Sequence, residues 1–163
     1  MTSDYTVYEY YDGYEYEWRH MSRKIRPKVQ YVVLGELDAH TLVICYIPSG
    51  IVAKLSCVTH KRAWIKTEFQ KVTKEYLNEI LERDRQTYKV QNFIDRLIYL
   101  QQNKENLDQE NRVEPGHSIS GYDGSYGIHY IVRSGQSFTD VMVREIKMMI
   151  QVLQIRDSIL NIN

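Results

Sequence analysis

The stretch from Ile51 to Glu114 contains no glycine and no proline, so no helix breaker interrupts it. Its apolar residues recur every three or four positions, which is the period of a helix with one buried face. The pattern predicts helices over 64–83 and 87–104, with a break at the polar joint 82–87. The alternative is one helix of about 40 residues, roughly 60 Å long, which a domain of this size could not cover. The apolar residues that carry the first helix are Ile65, Phe69, Val72, Tyr76 and Ile80.

A third helix is predicted over 138–160 at the end of the chain. Ser137 and Asp140 have the spacing of a capping box, which marks a helix N-terminus. The apolar face of this helix is wide, as is typical of a helix that packs in a groove of its own domain. Self-association is the alternative, and residues 138–160 are therefore also a candidate homodimer surface.

Three β-branched runs, 29–37, 41–47 and 51–59, predict an antiparallel meander turned at Asp38-Ala39-His40 and at Pro48-Ser49-Gly50. The runs are almost entirely apolar, which indicates a sheet that is covered on at least part of both faces.

Two Asp-Gly steps, Asp12-Gly13 and Asp123-Gly124, lie between alternating runs and predict two-residue hairpin turns. The first turn would pair Glu9 with Tyr16, and the second would pair Ile119 with Ile128. The predicted fold class is therefore α+β: an antiparallel sheet built from two Asp-Gly hairpins and a three-stranded meander, covered by about three helices including a long C-terminal one.

The 163 residues are predicted to form a single domain over 1–163. No apolar run is long enough to span a membrane, and the acidic start lacks the pattern of a signal peptide. We therefore expect a cytoplasmic protein, in its own cell or in an infected host, with Cys45 and Cys57 reduced. The small size, the fourteen tyrosines and the absence of catalytic motifs are typical of a viral or mobile-element accessory protein.

Charge is segregated along the chain although the net charge is zero. Residues 1–17 carry five acids and no base, and five bases follow within 19–28. Cations beside aromatic rings are typical of proteins that bind single-stranded nucleic acid, where bases stack on the rings. The predicted nucleic-acid contacts are Trp18, Arg19, Arg23, Lys24, Arg26, Lys28, Lys61 and Arg62.

The tyrosines of the first hairpin alternate with glutamates, which also suits a protein partner with a basic groove. The predicted partner contacts are Tyr8, Tyr10, Tyr11, Tyr14 and Tyr16. Our first functional hypothesis is thus a small non-catalytic regulatory protein that binds nucleic acid or another macromolecule, without a cofactor. A protein-directed inhibitor or adaptor is a further hypothesis.

An enzymatic alternative uses the turn between the first two meander strands. Glu36 and Asp38 would bind a divalent ion, and Lys54 would stabilise the charge of a phosphodiester under attack, as in a metal-dependent nuclease. The carboxylate two positions before Lys54 that such sites use is missing, because Val52 stands there. Apart from this alternative, no metal site is predicted.

Overall fold

The computed structural model describes residues 4–11, 28–68 and 71–161, and it has the predicted α+β fold. The chain divides into two compact units: residues 1–87 together with 155–163, and residues 88–154. The expectation of a single domain stays a prediction.

The first unit is built on a five-stranded antiparallel sheet with the order β5-β4-β3-β2-β6. A separate two-stranded ribbon pairs β1 with β7, and two helices complete the elements that lie wholly in this unit. The elements are β1 (Asp4–Thr6), β2 (Tyr8–Tyr11), β3 (Lys28–Asp38), β4 (Thr41–Ile47), β5 (Val52–Ser56), α1 (Cys57–Lys61), β6 (Trp64–Ile65), β7 (Lys71–Thr73) and α2 (Lys74–Thr87).

The predicted meander is confirmed as β3, β4 and β5. Its third strand ends at Ser56 rather than at residue 59, because the Ser56 hydroxyl accepts a hydrogen bond from the Thr59 amide at 3.1 Å. This cap begins α1, a helix of five residues.

The predicted partner of Glu9 is wrong. Glu9 lies between Gln30 of β3 and Trp64 of β6, so both edges of β2 are occupied there and no position remains for Tyr16. The long-range pairing with β3 aligns Tyr8 with Tyr31 in the buried layer of the sheet, which a local hairpin would not do. The Asp12-Gly13 turn lies outside the described residues.

The helix predicted over 64–83 begins only at Lys74. Residues 64–65 and 71–73 form edge strands instead, because they pair with β2 and β1 of the N-terminal segment. The Thr73 hydroxyl then accepts a hydrogen bond from the Tyr76 amide at 3.1 Å and caps α2. The predicted division into two helices is confirmed, but the break lies at Tyr88-Lys89 rather than at the joint 82–87, which is the last part of α2.

One face of the sheet carries Val32, Val43 and Cys45, which are fully buried. The end of the last helix reaches this face, since a Cβ atom added to Gly35 of β3 would lie 3.5 Å from the Ile155 side chain. Burial, with a further contribution from the charge of Asp84 on α2, raises the pKa of the Cys45 thiol to about 12. We infer that α2 and residues 155–161 cover this face.

A buried ion pair joins α2 to the end of the last helix. Arg156 Nη1 donates to Asp84 Oδ2 at 2.7 Å, and both side chains are almost inaccessible to solvent. Arg156 Nε donates to Asp157 at 2.9 Å, whereas Nη2 has no hydrogen-bond partner among the described residues.

The second unit contains α3 (Val90–Gln102), α4 (Lys104–Glu110), β8 (Ser118–Asp123), β9 (Ile128–Arg133) and the first part of α5 (Phe138–Asn161). The prediction of the last helix is confirmed. Its apolar face is buried within the chain, since Val141, Met142, Ile146 and Leu153 are each no more than 3% exposed. This burial fits the expected packing of the helix within its own chain, and the homodimer alternative stays a prediction.

The predicted register of the β8–β9 hairpin is wrong, because each residue of β8 pairs with a residue four positions further along β9 than predicted. Ile119 pairs with Val132, and Asp123 pairs with Ile128, so the loop has four residues rather than two. The Asp123 carboxylate accepts a hydrogen bond from the Ser125 amide at 3.2 Å, and Gly127 takes a φ of +64°, which lets the longer loop close.

Within the described ranges, no helix is both long enough and apolar enough to span a bilayer.

Candidate nucleic-acid interface

The second face of the five-stranded sheet carries four tyrosines from three neighbouring strands. Tyr8 lies directly opposite Tyr31, and Tyr31 lies directly opposite Tyr46, so the three side chains point the same way. Tyr10 follows two residues after Tyr8 and shares that face. We call Tyr8, Tyr10, Tyr31, Tyr46 and the adjoining His60 the tyrosine face.

The rings of Tyr8, Tyr10, Tyr31 and His60 form a connected cluster. Tyr8 stacks on Tyr31 with their ring centroids 5.7 Å apart, and Tyr10 meets Tyr31 edge-on at 5.6 Å. The His60 ring lies edge-on to Tyr8 at 4.6 Å. Such arrangements stabilise aromatic clusters beyond simple burial, and they fix the orientation of each ring.

Tyr31 anchors the cluster. It is fully buried, and its hydroxyl shares a hydrogen bond of 2.8 Å with Nδ1 of His60. Burial, together with the neighbouring Tyr8 and Tyr46, raises the pKa of the Tyr31 phenol well above its ordinary value. Burial lowers the pKa of His60. At neutral pH both groups are therefore uncharged.

Two cations follow the aromatic cluster directly. Lys61 and Arg62 come immediately after His60 and are exposed. The turn that places them is held by backbone hydrogen bonds of 3.0 Å from Arg62 to Thr59 and from Ala63 to His60. Two exposed positive charges therefore follow directly in the chain after a histidine of the aromatic cluster.

The acid nearest to these tyrosines in sequence points away from them. Glu9 lies between Tyr8 and Tyr10, and alternation along β2 places it on the opposite face. It is 3% exposed and accepts a hydrogen bond from Lys66 at 3.4 Å. Its charge is thus compensated, which weakens the repulsion between Glu9 and a phosphate group.

The structure brings together only some of the predicted contact residues. Tyr8 and Tyr10 are half-buried on the tyrosine face, and Lys61 and Arg62 are exposed and follow His60 in the chain. Lys28 pairs with Tyr11 and lies on the opposite face. The side chains of Tyr11, Tyr14, Tyr16, Trp18, Arg19, Arg23, Lys24 and Arg26 lie outside the part of the chain that the structure describes.

The three residues of the nuclease hypothesis do not converge. Glu36 pairs with Leu42 and lies on the same side of the sheet as the tyrosines. Lys54 pairs with Val43 and lies on the opposite side. The Asp38 carboxylate accepts a hydrogen bond from the His40 amide at 2.8 Å, which lowers its pKa and closes the turn. In residues 4–11, 28–68 and 71–161, no group of three His, Cys, Asp or Glu side chains could hold a metal ion.

A cluster of polar residues around Ser137 in the second unit resembles the surroundings of a catalytic serine nucleophile, but its role is structural. The Ser137 hydroxyl donates to Asp108 at 2.8 Å and accepts from Lys104 at 3.0 Å and from the Asp140 amide at 3.1 Å. The pKa of Lys104 is raised, chiefly by its hydrogen bond to Asp140, so this lysine stays protonated. Ser137 therefore caps α5 rather than acting as a nucleophile.

Sequence reasoning missed Tyr31, Tyr46 and the link from Tyr31 to His60. The available signal was alternation, since Tyr31 and Tyr46 stand among β-branched residues of adjacent predicted strands. The contact with His60 depends on α1, which the periodicity of the sequence did not indicate.

No protein-family model, curated protein or solved structure matches this chain. The functional argument rests on the geometry of the tyrosine face.

Proposed function

We propose that this protein binds single-stranded nucleic acid, with bases stacked on the tyrosine face and phosphates bound by Lys61 and Arg62. The observation that supports this proposal most is the contact among the rings of Tyr8, Tyr31 and His60, with two exposed cations next to His60 in sequence. Stacking on an aromatic ring contributes about 1–3 kcal/mol per base, and it requires bases that are not already paired.

The fixed orientation of these rings favours a role in ligand binding over a role in which the tyrosines only shield the sheet from solvent. The ring of Tyr8 is already held by Tyr31 and His60, so little side-chain entropy remains to be lost when a base docks. Tyr8 and Tyr10 are only partly buried, and part of their surface therefore stays open to a ligand.

The basic segment 19–28 extends the proposal. Arg19, Arg23, Lys24 and Arg26 follow β2 in sequence, and Trp18 would add one more ring. We expect these residues to contact further phosphates of the same strand.

The first test is fluorescence anisotropy with labelled oligo-dT, oligo-rU and a DNA duplex over a range of salt concentrations. The double variant Lys61→Glu, Arg62→Glu changes only exposed side chains. We expect it to weaken single-strand binding by about tenfold or more and to reduce the slope of log K against log salt by about 1.4 for two lost contacts.

The matched control is Arg144→Glu with Lys147→Glu, which makes the same charge change on the exposed side of α5. This control should bind the single strand nearly as tightly as the wild type. Equal losses in the two double variants would show that net charge alone governs binding, and the proposed site would be refuted.

The aromatic half of the proposal is tested separately with Tyr10→Ala and Tyr10→Phe. The phenylalanine variant keeps the stacking ring and should bind like the wild type, whereas the alanine variant should lose about 1–3 kcal/mol. Absence of any binding at low salt by the wild-type protein would refute the proposal as a whole.

A further inference from the structure

Arg96 of α3 is enclosed by two tyrosine rings. Its guanidinium carbon lies 5.1 Å from the ring centroid of Tyr99 and 5.7 Å from that of Tyr126. The Tyr126 ring, in the loop between β8 and β9, is itself held edge-on against the buried ring of Phe93 at 5.1 Å. The guanidinium is therefore held between side chains of two separate elements.

Among the described residues, Arg96 has no anionic partner. None of the ion pairs between described residues includes Arg96, and its Nε atom is buried without a hydrogen-bond partner. The neighbouring Asp95 carboxylate accepts a hydrogen bond from Gln91 at 2.9 Å. Arginine has five donors, and one that is fixed by aromatic rings normally gives them to a carboxylate or a phosphate.

We propose that Arg96, Tyr99 and Tyr126 form a binding site for a phosphate group in the second unit. A guanidinium binds a phosphate through two parallel hydrogen bonds, and the two phenol hydroxyls can donate to the remaining oxygens. A phosphate has further oxygens after two of them bind the guanidinium, whereas a carboxylate would have to share its two oxygens between the guanidinium and the hydroxyls, so this set of donors favours phosphate. Tyr99 is 46% exposed and leaves ring surface on which a nucleobase can stack.

The site does not depend on the proposed function, because the residues that form it and those of the tyrosine face belong to different units. The phosphate could come from a free nucleotide or from the backbone of a nucleic acid. Both sources present the same tetrahedral oxyanion.

The test is NMR of the full chain with ¹⁵N-labelled arginine, which reports each Nε–H group directly. The Arg96 resonance is assigned by its loss in Arg96→Lys. The resonance of Arg144, whose side chain is exposed on α5, is the internal control. Inorganic phosphate should shift the Arg96 signal in a saturable way with millimolar affinity, whereas acetate at equal ionic strength should not.

Further titrations use thymidine monophosphate and the dinucleotide dTpdT. Saturation by the monophosphate alone identifies a free phosphate monoester as the ligand, and saturation by both identifies a site that also accepts a backbone phosphodiester. Because Arg96→Gln lacks the reporting Nε–H group, the affinity of this variant is measured from the ³¹P chemical shift of thymidine monophosphate, and we expect it to be weaker by about tenfold or more. Tyr126→Phe should weaken binding by less, because only one hydroxyl is removed.

An unsaturable shift, an equal shift with acetate, or a matching shift at Arg144 would overturn the proposal. Loss of oligonucleotide binding in Lys61→Glu, Arg62→Glu with an unchanged response of Arg96 to phosphate would show that the two proposals stand or fall separately.

Discussion

Removal of Arg156 should destabilise the first unit severely. In Arg156→Met the Asp84 carboxylate, whose side chain is 3% exposed, would lose the guanidinium that donates to it at 2.7 Å. An unpaired buried charge typically costs about 3–5 kcal/mol when its partner is removed. That is a large share of the roughly 5–15 kcal/mol by which a domain is stable.

The intact pair contributes much less than its loss would suggest. Loss of hydration raises the pKa of Asp84 despite the hydrogen bond from Arg156, so burial of the carboxylate outweighs the attraction. Replacement of both partners in Asp84→Leu, Arg156→Met should therefore return stability to within about 1–2 kcal/mol of the wild type.

Urea denaturation followed by circular dichroism measures both effects. The single variant should shift the midpoint by about 2 M if the m-value is near 2 kcal/mol per molar. Arg85→Ala is the control, because Arg85 pairs with Glu82 near the surface and should cost no more than about 0.5 kcal/mol. A single variant as stable as this control, or a double variant no better than the single one, would refute the reasoning.

Three further outcomes are expected. Gly50→Ala should lower the free energy of unfolding by more than about 2 kcal/mol, as measured by thermal or urea denaturation. The reason is that Gly50 has a φ of +85° and an added Cβ would overlap with the Ile80 carbonyl oxygen, so an unchanged stability would contradict this packing. Ser137→Ala should lower the free energy of unfolding by about 1 kcal/mol, as expected for loss of a helix cap, and Ser137→Thr should lower it by less. Equal melting temperatures for the wild type and both variants would contradict the role of the cap. Burial lowers the pKa of His60 in the folded protein, so the unfolded chain takes up a proton on His60 at a higher pH than the folded protein does. The free energy of unfolding should therefore decrease as pH drops below about 6.5. His60→Phe should flatten this pH dependence, and an unchanged pH profile would contradict the argument.

Local signals in the sequence determined the elements whose partners are near in the chain. The meander follows from apolar strands joined by short turns, and α5 follows from its capping residues and apolar period. The existence of a break between the second and third helices was also predictable, but its position was not, because residues 82–87 belong to α2 and the break lies at Tyr88-Lys89.

The sequence failed where distant segments compete with local preference. Residues 64–65 and 71–73 have a helical period, but the N-terminal strands β1 and β2 offer open edges that pair with them. The same strands explain the error at Glu9, since β2 pairs with β3 rather than with the segment after the Asp-Gly step. Strand pairing depends on partners far along the chain, and no local pattern specifies them.

The candidate site divides in the same way. The sequence by itself determined which residue types are present, with tyrosines beside cations and no catalytic motif. Only the tertiary structure decided that Tyr8 meets Tyr31 and His60, that Glu9 faces Lys66, and that Glu36 and Lys54 point apart. The reason is physical: the face on which a strand residue lies is set by the register with its neighbours, and a shift of one residue reverses it.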